Sequence, residues 1–93
     1  MLSEAQWIAL ERLYAAGSRG IPYSGRGYHG AGSWQVLQQL RDHDPPLVRE
    51  ITRLDPEHET VHYLVIITEA GERFYEKHRR LYNALYPRRA SRD

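Results

Sequence analysis

The chain has no cysteine. Its absence excludes disulfides, thiolate zinc sites and a cysteine nucleophile together, and it is compatible with a reducing compartment. Long apolar runs are missing too. The longest, YLVII at 63–67, is far short of the ~20 residues that cross a bilayer. The opening MLSEAQWIALERLY lacks a basic start, and Glu4, Glu11 and Arg12 interrupt its apolar residues, unlike a signal peptide. Net charge is scarce as well, since 13 Lys and Arg face 12 Asp and Glu, leaving +1. The expectation is a soluble, cytoplasmic protein with no membrane partner.

At 93 residues, 41% hydrophobic and 27% charged, there is material for one domain and one modest core. A chain this short buries roughly 60–65% of the surface its unfolded form exposes, so a partner subunit would help it. Charge is unevenly spread. Residues 17–43 carry Arg19, Arg26 and Arg41 against Asp42; residues 44–62 carry five acids against Arg49 and Arg53. Beyond Pro87, a tail at 88–93 carries Arg88, Arg89 and Arg92, and it is expected to be disordered.

Helical signals open the chain. Ser3 and Gln6 have capping-box spacing. Trp7, Leu10 and Tyr14, with Ile8 and Leu13, recur at helical intervals, and Gly17 is a stop, predicting a helix over 4–16. Residues 17–32 hold six of the seven glycines and Pro22, which favours a loop with one extended piece at IPYS. From Ser33, SWQVLQQLRDH is again helical, with Val36, Leu37 and Leu40 on one side and Trp34 at its edge. Gln35, Gln38, Gln39 and Asp42 lie opposite, and Pro45 and Pro46 end the helix.

LVREITRL and VHYLVIIT, joined by DPEHET, read as a β-hairpin. A last helix, about 69–86, starts at the cap Thr68 with Glu69 and Glu72 in its first turn, and Pro87 stops it. Phe74, Tyr75, His78, Leu81, Tyr82, Leu85 and Tyr86 share one arc of it.

This order is α+β. SWQVLQQLRDHDPPLVREI, followed after the hairpin by YLVIITEAGERFYE, resembles the winged helix-turn-helix domain of MarR- and PadR-type bacterial regulators. The likeness covers about residues 3–78. It implies a helix, a glycine-rich loop where those families place a helix, a recognition helix, a two-stranded β-hairpin wing and a long C-terminal helix. The domain is expected over 1–87, with 69–86 as a dimerisation helix.

The loop's GRGYHG, Gly25–Gly30, has the G-x-G-x-x-G spacing of dinucleotide sites. That motif needs a parallel βαβ unit, whereas here an antiparallel hairpin follows, so it reads as a connecting loop without a nucleotide cofactor. Leading into a helix start at Ser33, the loop could meet a DNA phosphate, with Arg19 and Arg26 adding charge and Tyr28 and His29 hydrogen bonds. Gln35, Gln38 and Gln39 could reach base edges, and Arg41 joins the set. The expected partner is double-stranded DNA, bound by a transcriptional regulator or a mobile-element accessory factor.

A second partner is a second copy, met through Phe74, His78, Leu81, Tyr82, Leu85 and Tyr86, because the small domain offers little to cover them. The rival is a winged-helix protein–protein interaction module, favoured by the acidic Asp55, Glu57 and Glu59 near the wing tip. His58 and His62 are expected to diverge at a turn and strand, giving no metal site, and no nucleophile pairs with a base. The chain is read as a non-enzyme that holds no cofactor.

Overall fold

Ser3 starts the first helix by a reciprocal cap: its hydroxyl accepts from the Gln6 amide N–H at 3.2 Å, and the Gln6 side chain accepts from Ser3 N at 2.9 Å. In the computed structural model, which describes residues 1–24, 27–28 and 33–87 and only the backbone of Ser24, Gly27 and Tyr28, this helix is α1 (Glu4–Ala16). At Gly17, whose φ is +62°, it passes into a 3-10 turn (Gly17–Arg19). The extended piece IPYS becomes β1 (Ile21–Ser24), which turns back into the two-residue β2 (Gly27–Tyr28).

Next comes α2 (Trp34–Arg41), capped by the Ser33 hydroxyl on the Val36 N–H at 3.0 Å. Its Leu37 and Leu40 are buried. The strands β3 (Val48–Asp55) and β4 (Thr60–Ile67) form the expected hairpin, paired from Val48↔Ile67 to Asp55↔Thr60. Asp55 shapes the tip, its carboxylate accepting from the N–H groups of Glu57 and His58.

The sheet is larger than a two-stranded hairpin. Its order is β2-β1-β4-β3, antiparallel throughout, because β1 pairs with β4 through Ile21↔Val65 and Pro22↔Leu64. The described chain is therefore an α+β fold of three helices and an antiparallel sheet.

The last helix, α3 (Glu69–Leu85), is pinned at its start. Thr68 N donates to Leu47 O at 3.0 Å, the Thr68 hydroxyl donates to Pro46 O at 2.7 Å, and the same oxygen accepts from Gly71 N at 2.9 Å. Gly71 packs on the Leu47 carbonyl and the Ile67 side chain, leaving no room for a Cβ.

The core joins α1, α2 and α3 to the α2 side of β3 and β4, and its aromatic part lies where α1 and α3 run antiparallel. Trp7, wholly buried, is stacked between Tyr75 (ring centroids 4.9 Å apart) and Tyr82 (4.6 Å). Tyr14 extends the stack beyond Tyr75, and Tyr86 beyond Tyr82. The polar tips of Trp7, Tyr14, Tyr82 and Tyr86 each have a partner. Tyr82 Oη accepts from Leu2 N at 2.8 Å, and Tyr86 Oη donates to Leu2 O at 2.9 Å. Trp7 Nε1 donates to Asn83 Oδ1 at 3.3 Å, and Tyr14 Oη donates to Glu76 Oε2 at 2.7 Å.

One expectation changes here: Tyr82, assigned to an interface between copies, is buried against the start of the chain, and Tyr86, assigned to the same interface, is half-buried there. The first residues of the chain reach the last turns of α3 and cover them, leaving Leu81 and Leu85 exposed.

Candidate nucleic-acid interface

The side of α2 away from Leu37 and Leu40 carries the three glutamines, and they differ. Gln35 is exposed in the middle of that side. Gln39 is exposed but turned toward α1, where its Oε1 accepts from Gln6 Nε2 at 2.6 Å. Gln38 is half-buried on the opposite shoulder, beside Trp34, Arg41 and Glu50. Asp42 caps the end of the helix, its N–H on Gln38 O at 2.8 Å.

Arg41 is heavily engaged. Its Nη1 donates to Glu50 Oε1 at 3.0 Å, its Nε lies 3.5 Å from Asp42 Oδ1, and its guanidinium sits 6.0 Å from the Trp34 ring centre. The hydrogen bond to Glu50 raises the guanidinium pKa further, fixing the charge in place. Trp34 itself is half-buried and stacks on Tyr23 at 5.4 Å, and Tyr23 meets Tyr63 at 6.3 Å. Burial pushes the Tyr23 phenol up, and the Glu50 carboxylate adds to it.

Sheet alternation decides where the other arginines stand. Val48, Glu50, Thr52 and Leu54 of β3 share the α2 side with Val61, Tyr63, Val65 and Ile67 of β4, and Arg49, Ile51 and Arg53 face outward with His62, Leu64 and Ile66. Arg19 lies on the outer side, in a hollow shared with Arg53, His62 and Leu64. Arg19 and Arg41 are thus on opposite sides of the sheet. Arg26 and His29 lie outside the described residues, and of Tyr28 only the backbone, in β2, is described. The tail at 88–93 is also outside them.

One surface escaped sequence reasoning. Leu54 and Val61, cross-strand partners, are 67% and 50% exposed, and Tyr63 beside them is 53% exposed, all on the α2 side of the hairpin. Period-two alternation in VREITRLD and TVHYLVII was the available signal. The turn carrying Glu57 and Glu59 follows this ledge at the tip, and the Asp55 carboxylate lies on the outward side with His62. There the expected divergence of the histidines is corrected: His58 Nδ1 lies 2.8 Å and His62 Nε2 3.5 Å from the same Asp55 Oδ2. Cross-strand register places His62 beside the turn that holds His58. The hydrogen bond from His58 holds the Asp55 carboxyl below the usual carboxylate range. Among the described residues, no group of three or more His, Cys, Asp or Glu is arranged to hold a metal ion.

On the flank of α3, Phe74 and His78 are half-buried and line a hollow of about 280 Å³ with His43, Pro45 and Leu47. Leu81 and Leu85 continue that stripe, 50% and 44% exposed. No helix among the described residues is long and apolar enough to cross a membrane. Comparison with protein-family models, with curated proteins and with solved structures returns no match to this chain.

Proposed function

We propose that the chain is a small winged-helix protein of the cytoplasm that binds double-stranded DNA as a homodimer, as a transcriptional regulator or mobile-element accessory factor. One observation carries the reading. α2 is anchored through Leu37 and Leu40 beside a sheet of order β1-β4-β3, and it leaves Gln35 free at the centre of its outer side with Gln38 and Gln39 on its shoulders. A glutamine amide there can pair bidentately with adenine N6 and N7, which is worth about 1–3 kcal/mol of discrimination. Two such helices about 34 Å apart across a two-fold axis would read successive major grooves. The exposed Leu81 and Leu85, with Phe74 and His78, are the surface through which a second copy docks in this reading.

Selection of bound duplexes from a random pool, followed by titration at several salt concentrations, tests it. Gln35→Ala should lower affinity for the selected site roughly 5–150-fold while leaving random-duplex binding nearly unchanged. Log affinity should fall against log salt with a slope of about −0.9 per neutralised phosphate. Sedimentation equilibrium showing a monomer at tens of micromolar rejects the dimer.

A second reading has its own support. The apolar ledge of Leu54, Val61 and Tyr63, next to the turn that carries Glu57 and Glu59, suits a protein partner better than a phosphate backbone. In that reading the module binds protein and not DNA. Failure of micromolar protein to shift any duplex at low salt selects it.

A further inference from the structure

We infer that the outer face of the sheet, opposite α2, carries a binding site for a small organic anion: a carboxylate with a short apolar body. The inference stands whether or not α2 meets DNA.

Gly20 builds the site. Its φ is +76°, and a Cβ there would lie 2.8 Å from Ile66 Cγ2 and 3.0 Å from Val65 O. Only glycine lets the 3-10 turn come down onto β4 this closely. The turn then presents the carbonyls of Ser18 and Arg19 to Arg53, whose Nη2 and Nη1 donate to them at 3.1 and 3.3 Å. The contact holds a long, exposed side chain beside the hollow that it shares with Leu64, which is only 6% exposed.

Between these parts lies a hollow of about 330 Å³, lined by Arg19, Gly20, Pro22, Arg53, His62 and Leu64. At the ~30 Å³ that each water takes in the liquid, this holds about ten non-hydrogen atoms. It falls at the lower end of the size range of small-molecule sites, roughly 300–1,000 Å³.

Its chemistry is divided. Pro22, Leu64 and the bare backbone of Gly20 form a carbon floor. Arg19, Arg53 and His62 supply its charged and polar lining, and among the described residues no carboxylate lines it. The nearest described acid, Asp55, reaches His62 at 3.5 Å but is bonded more closely to His58, at 2.8 Å. A guanidinium has five N–H donors, and the two carbonyls use two of those on Arg53. The remaining donors, already held in place, can meet a carboxylate at little further ordering cost. Phosphate alone would leave the floor unused, and a neutral ring would leave the charged lining unused.

Titrating the full chain with benzoate, benzamide and inorganic phosphate at constant ionic strength, read by amide chemical shifts, tests the site. Benzoate should produce saturable shifts at Gly20, His62 and Leu64, with benzamide and phosphate at least tenfold weaker. Arg53→Gln should weaken benzoate at least tenfold and Arg19→Gln severalfold. Unsaturable benzoate shifts overturn the proposal, as does benzamide or phosphate matching benzoate. If Arg53→Gln does not fold, Arg19→Gln decides alone, and unchanged benzoate affinity in that variant overturns the site.

Discussion

The side of the molecule where α1 meets α3 and the side formed by α2 and the β3–β4 hairpin use aromatic residues differently. In the first, Trp7 lies between Tyr75 and Tyr82, and the hydroxyls of Tyr14, Tyr82 and Tyr86 and the Trp7 N–H each have a partner. In the second, Trp34 and Tyr23 are half-buried, Tyr63 is more than half exposed, and Leu54 and Val61 face solvent. A chain of this size has material for one well-filled core. The contrast separates aromatic residues packed inside the core from apolar residues left at its edge, while Leu37, Leu40, Val48 and Val65 tie the second side into the same core.

The sharpest way to break this contrast is Trp7→Ala. Removing a fully buried indole from a stack costs about 3–5 kcal/mol, against a total of roughly 5–14 kcal/mol for a domain of this length. The variant should lose much of its urea resistance, and a cost under 1 kcal/mol would show that the stack is not the centre of stability. Gly71→Ala comes next. A methyl group there meets Leu47 O and Ile67, so about 1–3 kcal/mol should be lost as the start of α3 moves off the sheet. Tyr82→Phe is gentler in shape but leaves the Leu2 N–H without its acceptor, at about 1–3 kcal/mol. On the other side, Leu54→Ser with Val61→Thr should change stability by no more than ~0.5 kcal/mol, as exposed positions do. A larger loss would mean that the ledge belongs to the fold.

Much of this was legible in local signals. Ser3 with Gln6, Ser33 before Val36 and Thr68 before Gly71 are caps whose geometry depends on three or four consecutive residues, and the structure has all three. The hairpin was legible because DPEHET separates two β-rich runs. What failed depended on distant partners. IPYS read as extended, but nothing within it says that Ile21 will pair with Val65, 44 positions later. The arc on α3 was correctly placed as apolar, yet helical angles do not say that Leu2 and Trp7 cover Tyr82 while leaving Leu81 bare. Arg41 joined the DNA-binding set because Glu50, its partner, lies across the two prolines. Those pairings follow from the tertiary fold, and one chain's local pattern does not encode them visibly.

The smallest expected effect concerns the tip of the hairpin. Asp55 receives N–H bonds from Glu57 and His58 on Oδ1 and faces both imidazoles with Oδ2. Asn at this position keeps an acceptor for the turn and removes the charge, so Asp55→Asn isolates the electrostatic part. The folded carboxyl titrates below its ordinary value, mainly because of the His58 hydrogen bond. Its contribution is therefore fully present above the unfolded value, about pH 4, and fades as pH falls through the lower folded one. The urea midpoint of the native chain should exceed that of Asp55→Asn at pH 6, and the gap should close as pH falls below about 4. A gap that stays constant over that range would mean that the carboxylate acts only through the turn geometry, and that the two histidines gather around it without electrostatic consequence.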